Sequence, residues 1–265
     1  MDSKRLNWTY GDDYFSKKSD VFEKVFQESP PKPPDQGEEL SHQVNTELLD
    51  YDTEDYETLR NNLVYTFDGT TDIPRVISIT CCNFGEGSTT VATNLALTFA
   101  KHSDGAVLFV DADFPNPSAH SIFGVNQSPG LGEILLDGYD SSAAIQPSII
   151  NNLFVLTTGN KNVNPNPQFD SPFFTELLQR WRLEFNFIVF DTPPMQCDMK
   201  QCDMNFPIHL ASLVDGNIIV LETEAVRWEV AVRVKERLLQ SNAKILGVVL
   251  NKRKYYIPKW LYRTL

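Results

Sequence analysis

The chain has 265 residues, 42% of them hydrophobic and 22% charged, with a formal net charge of −12 and a pI near 4.8. That length allows one large domain with an extension, or two small domains. The acidic balance argues against a uniform surface that tracks a nucleic-acid backbone, and no run of roughly 18 apolar residues is present to cross a bilayer.

Residues 1–54 hold 13 acids and 6 bases, so −7 of the −12 lies in the first fifth of the chain. The segment includes Pro30-Pro31-Lys32-Pro33-Pro34 and little periodic apolar pattern. Residues 1–50 therefore read as a disordered acidic, Pro-rich tail, solvated apart from aromatic anchors such as Trp8, Tyr10, Tyr14 and Phe15 that could dock on a partner. The first residues have no apolar core, so no secretory leader is expected in them. The four cysteines, Cys81, Cys82, Cys197 and Cys202, then read as reduced thiols of a cytosolic protein.

A domain is expected over 51–253. Tyr56, Leu59, Leu63 and Phe67 recur at helical spacing. Short apolar, β-branched runs follow at Val76–Ile79, Val107–Val110, Leu153–Leu156, Phe187–Phe190, Ile218–Leu221 and Ile245–Leu250. Helical patterns lie between them, at Val91, Leu95 and Phe99, and at Phe174, Leu177, Leu178 and Trp181. Continuous apolar strands alternating with helices predict an α/β fold: a three-layer, doubly wound, mostly parallel sheet buried on both faces. Ligands of such sheets bind beyond the carboxyl ends of the strands.

The predicted first strand runs into Phe84-Gly85-Glu86-Gly87-Ser88-Thr89-Thr90 and then a helix, a pattern suited to cradling phosphate with backbone N–H groups. The second strand ends in Asp111-Ala112-Asp113, a later one in Asp191-Thr192-Pro193-Pro194, and the last in Asn251-Lys252. Carboxylates beside a phosphate loop are what magnesium and water positioning require. An amide at Asn251 could read a base edge. Taken singly, a strand-end Asp is as well explained as a helix cap, and Gly-x-Gly as a tight turn; their order and placement carry the reading.

With these motifs the chain from about Glu54 to Lys252 resembles the bacterial tyrosine autokinases of capsule and exopolysaccharide synthesis, P-loop proteins related to the MinD and ParA ATPases. Beyond the loop and the Asp motifs, His120, Phe123-Gly124, Pro129-Gly130-Leu131, Gly159, Asn166-Pro167, Asp215-Gly216 and Gly247 to Lys252 follow the family order. The resemblance implies a P-loop fold with Gly85, Glu86, Gly87, Ser88, Thr89, Thr90 and Asn251 at a nucleotide. It implies Thr89, Asp111 and Asp191 at magnesium, and Asp111 and Asp113 as catalytic residues if the protein is active. It makes Tyr255, Tyr256 and Tyr262 candidate phosphate acceptors, and an inner-membrane chain-length-determinant protein the expected partner. The protein would then be cytoplasmic, held peripherally at the membrane through that partner, with a homo-oligomer open and no nucleic acid.

Four departures qualify this. The family's loop lysine is replaced by Ser88, and no basic residue lies between Arg75 and Lys101 to substitute locally. ATP and magnesium binding should then be weakened, because a point charge on the outer phosphates is lost. The Arg pair after the second Asp motif is Pro115-Asn116. The family's Glu-x-x-Arg-x-x-Arg oligomer motif reads Glu54 to Arg60 with Glu57 in place of the first Arg, a charge reversal at a ring contact. Gln196 to Met204 carries a near-duplication with two Cys and two Asp whose spacing fits no standard metal set; no structural metal is expected. The favoured reading is a catalytically impaired homologue acting through its partner. An active autokinase and a ParA/MinD-like positioning ATPase are the alternatives. Residues 254–265 form a basic, aromatic C-terminal tail that could also meet anionic lipid or pack Trp260 and Leu261 on the domain.

Overall fold

The computed structural model describes residues 53–65, 75–160, 169, 171–195 and 205–252. The tail over 1–50, the repeated Cys/Asp segment, Phe67 and the tyrosines Tyr255, Tyr256 and Tyr262 lie outside the described residues.

The described chain runs α1 (Thr53–Tyr65), β1 (Val76–Cys81), α2 (Ser88–His102), β2 (Val107–Asp111), α3 (Ala119–Phe123), α4 (Leu131–Asp137), α5 (Ser141–Ala144), β3 (Gln146–Pro147), β4 (Leu153–Leu156), α6 (Pro172–Glu184), β5 (Phe187–Asp191), α7 (Asn205–Leu213), β6 (Gly216–Glu222), α8 (Trp228–Gln240) and β7 (Ile245–Asn251). The strands form one sheet in the order β3-β4-β2-β5-β1-β6-β7. Every pairing is parallel except β3 with β4. This is the mostly parallel three-layer sheet expected from the alternation, with one short antiparallel strand at its edge that the pattern did not announce.

Helices cover both faces because the central strands are apolar on both. On one side Leu63 of α1 and Leu95 and Phe99 of α2 pack on Ile77, Phe109 and Val189, and Phe99 stacks on Phe187 with ring centroids 4.1 Å apart. On the other, Phe174 and Trp181 of α6 pack on Leu108 and Phe190, while Val234 and Leu238 of α8 cover Ile219 of β6. Each such side chain taken out of water contributes about 1.5–3 kcal/mol. Arg182 of α6 makes a two-pronged pair with Asp215, 2.8 and 2.7 Å, and Asp215 also accepts the Arg75 and Val76 N–H groups at 2.8 and 2.9 Å. Start of β1, start of β6 and last turn of α6 are thereby tied together.

The last strand departs from the expected two-sided burial. Val248 is 52% and Leu250 64% exposed. β7 is the sheet's final strand and pairs only with β6, and α8 spends its buried face on Ile219 rather than on β7. No helix among the described residues is long and apolar enough to cross a membrane.

Candidate functional site

The carboxyl ends of β1, β2, β5 and β7 bring the expected residues to one end of the sheet. Asp111 and Asp191 are register partners on β2 and β5, and Asp191 is opposite Ile79 of β1. Asp191 therefore sits between the second Asp motif and the strand that feeds the glycine loop.

The loop is built by two left-handed glycines. Gly85 has φ 83° and Gly87 φ 94°, a region glycine enters without steric cost. Gly87 is the N-cap of α2, so the helix dipole opens at Ser88. A Cβ on Gly85 would meet nothing within 4 Å, whereas one on Gly87 would overlap the Asn251 amide nitrogen. The first glycine faces open space and the second admits the end of β7. Glu86 is 2% exposed and folds back on its own loop. Its carboxylate accepts the Cys82 N–H at 2.9 Å and the Asn83 amide at 2.7 Å, and burial pushes its pKa up. Ser88 is also nearly buried, and its hydroxyl accepts from the Cys81 thiol at 3.3 Å. Burial raises both neighbouring thiols, Cys82 to about 12, so neither is a nucleophile near neutral pH.

The three aspartates share a location but not a state. Asp111 is saturated: Oδ2 accepts the Ser118 and Ala119 N–H groups at 2.9 Å each, and Oδ1 accepts that of Asp113 at 3.1 Å. Burial nevertheless raises its pKa, with those N–H groups and His120 opposing. Asp113 accepts the Asn116 N–H at 3.2 Å. Burial, then the Asp111 charge, lift it to about 7. Asp191 is fully buried and neither carboxylate oxygen has a hydrogen-bond partner. Burial and the charges of Asp111 and Asp113 push its pKa well up, and only the Thr89 hydroxyl favours its ionised form.

That orphaned carboxylate fits a hard cation, which would satisfy it and offset the crowding of acids. No three His, Cys, Asp or Glu side chains among the described residues are grouped to hold a metal alone. Magnesium does not need such a cage, since it takes one or two carboxylates plus phosphate oxygens and water. Asp191 and Thr89 are the residues that would hold it; Asp111, with both oxygens engaged, would face it from the next strand.

At the other rim, Asn251 donates its amide to the Glu86 carbonyl at 2.9 Å and accepts the Lys252 N–H at 2.9 Å. One N–H and one lone pair remain for a base edge. The Lys252 ammonium donates to the Gly85 carbonyl and pairs with Glu222 at 2.9 Å. Local sequence offered no cation for this loop, because Lys252 is brought to it from 167 residues away. The Glu86 fold-back was likewise missed; an acid three residues after Asn83 was the available signal.

Comparison with known proteins agrees with this geometry. The ParA family model described as a NUBPL iron-transfer P-loop NTPase matches residues 72–262. The chain is 31% identical over 209 residues to the tyrosine-protein kinase YwqD of Bacillus subtilis (strain 168), covering 79% of this chain and 84% of that one. It is 30% identical over 187 residues to the tyrosine-protein kinase CpsD of Streptococcus pneumoniae serotype 4, covering 70% and 79%. Among solved structures, the chimerical protein CapA2B2 superposes with a TM-score of 0.68 at 28% identity, over 76% of this chain and 85% of that one.

Proposed function

The chain belongs to the ParA-type P-loop NTPases, among the bacterial tyrosine-protein kinases, and from that premise we propose that it is a nucleotide-site protein of capsule or exopolysaccharide synthesis whose phosphoryl transfer is impaired. The observation that carries the reading is Ser88. It stands where the family has its loop lysine, and its hydroxyl is turned to the Cys81 thiol. A serine offers a hydrogen bond but no charge, while Glu86, Asp111, Asp113 and Asp191 crowd the same strand ends, all buried. Magnesium, when bound, supplies positive charge to the outer phosphates; the chain's own part is to present loop N–H groups, the Thr89 hydroxyl and the Asp191 carboxylate. Loss of a charge that stabilises the transferred group lowers rate by orders of magnitude. Regulation would then run through binding a membrane chain-length-determinant protein, with the tail tyrosines Tyr255, Tyr256 and Tyr262 as contact or acceptor residues.

One observation favours an active autokinase instead. Asp113, lifted to about 7, is poised to take a proton from a tyrosine hydroxyl near neutral pH. The two readings separate cleanly. Mg-ATP is titrated into the wild type and into Ser88→Lys by calorimetry, and phosphotyrosine is followed in both. Impairment predicts weak binding and no labelling in the wild type, with at least tenfold tighter binding in Ser88→Lys. Brisk self-labelling of the wild type, abolished by Asp113→Asn, establishes the kinase and overturns impairment.

A further inference from the structure

The end of β7 holds the glycine loop with two successive side chains. Asn251 takes the Glu86 carbonyl and Lys252 takes the Gly85 carbonyl, so two adjacent peptide units of the loop are fixed from the same strand. The turn that allows this is built in. Lys252 has φ 53°, a left-handed backbone that a lysine adopts only at a cost, and its N–H closes on the Asn251 side-chain oxygen at 2.9 Å. A strained residue held in place by its own neighbour's side chain points to a site where the geometry is used.

The ammonium is not an isolated surface charge. Its second partner is Glu222, the last residue of β6, at 2.9 Å. The Glu222 charge reaches Glu86 inside the loop, where it opposes ionisation. Lys252 therefore does two things at once. It pins Gly85, whose open side faces the space a ligand would fill, and it offsets an acid that otherwise acts on the loop. An ammonium has three N–H groups, so with Gly85 and Glu222 engaged one is left to meet an anion.

We propose that Lys252 is a positioning residue of the nucleotide site: braced by Glu222, its ammonium holds the Gly85 carbonyl and brings the phosphate loop the positive charge that residue 88 lacks. The inference rests on the nucleotide reading for its ligand, a nucleoside di- or triphosphate, but the clamp itself exists without one. Lys252 is 47% exposed and Glu222 31%, so the fold does not depend on the pair. The predicted effect is confined to the loop.

The test uses the full chain. In the ligand-free protein, amide hydrogen exchange of residues 84–88 is compared among wild type, Lys252→Met, Lys252→Arg and Glu222→Gln, alongside thermal unfolding and ADP titration with magnesium. Lys252→Met should speed loop exchange about tenfold, which is about 1.4 kcal/mol and the low end for a charge-assisted hydrogen bond at a half-exposed position. It should weaken ADP by a similar factor and leave the melting midpoint in place. Lys252→Arg should restore both, and Glu222→Gln should fall between. Loop exchange in Lys252→Met within twofold of wild type overturns the inference, as does faster exchange with unchanged ADP affinity. Protection lost across the whole sheet with a lowered midpoint also overturns it, because the residue would then be merely structural. Faster loop exchange, rescued by arginine, in a protein that binds no ADP even as wild type upholds the clamp and refutes the nucleotide reading instead.

Discussion

Asp113→Asn tests the electrostatics of the site directly. Burial and the neighbouring Asp111 hold this carboxyl protonated up to about 7, against an ordinary value of 3.8. Below pH 4 both folded and unfolded chains carry the proton and the group contributes no slope. Between 4 and 7 the unfolded chain gives up the proton while the folded one keeps it, so stability falls as pH rises. Above 7 the charge is buried and the full loss is in place. Each pH unit in that window is worth about 1.4 kcal/mol, so the whole stretch costs about 4 kcal/mol at most.

An asparagine keeps the oxygen that accepts the Asn116 N–H at 3.2 Å and never ionises. The variant should therefore gain on the wild type as pH rises. From pH 5 to pH 7.5 the gap should widen by about 3 kcal/mol, or about 6–12 °C in melting midpoint for a domain of this size. The assay is thermal unfolding across that range without magnesium. Because Asp111 and Asp191 titrate in the same cluster, the decisive quantity is the slope of the difference, not either midpoint. A difference that stays flat from pH 5 to pH 7.5, or an Asp113→Asn that melts below wild type at pH 7.5, refutes the picture of a buried, uncompensated carboxylate.

Three more outcomes follow from the same geometry. Asp191→Asn removes a fully buried carboxylate without partners, so the ligand-free protein should melt higher while nucleotide affinity loses its dependence on magnesium; calorimetry with and without the ion reads the second, and a retained magnesium effect counts against Asp191 as the ion's ligand. Gly87→Ala puts a methyl at φ 94° against the Asn251 amide, which should cost about 1–3 kcal/mol of stability in urea unfolding and loosen the loop, and a loss below 0.5 kcal/mol would speak against that close approach. Asp215→Asn leaves Arg182 without its carboxylate: burial pushes Asp215 up, but Arg182 and the Val76 and Arg75 N–H groups outweigh it and hold the pKa below the ordinary 3.8, so its stabilisation is present above that value and lost as pH falls further. The variant should be weaker by about 2 kcal/mol at pH 7 with the deficit shrinking below pH 4, and a deficit independent of pH down to pH 3 would contradict the pairing.

Much of the sheet was legible because its signals are local. Apolar runs such as Val107–Val110 and Phe187–Phe190 are buried on both faces wherever they lie in a parallel sheet, and the patterns of α2 and α6 bury the residues their periodicity selects. What escaped depends on neighbours that no local pattern encodes. The run at Ile245–Leu250 looks like any central strand, yet its place at the sheet's margin leaves Val248 and Leu250 exposed. The order β1-β6-β7 is also what carries Lys252 to the loop, so a search for a local replacement cation could not find it.

The aspartates show how identical signals diverge. Asp111 and Asp191 both close an apolar strand and both point to metal chemistry on sequence. Asp111 is followed by a turn and by α3, whose first N–H groups saturate it. Asp191 is followed by Thr192-Pro193-Pro194. The Thr192 N–H is spent on the Ile79 carbonyl at 3.0 Å and that of Met195 on Cys81 at 2.8 Å, while the two prolines have no N–H to give. The backbone after Asp191 thus cannot cap it, and the Thr192 hydroxyl is held by Ile79 as well, at 2.9 Å. A carboxylate denied every nearby donor by its own following sequence keeps both oxygens for a ligand, and that denial, rather than the aspartate itself, is the residue-level mark of a cation position.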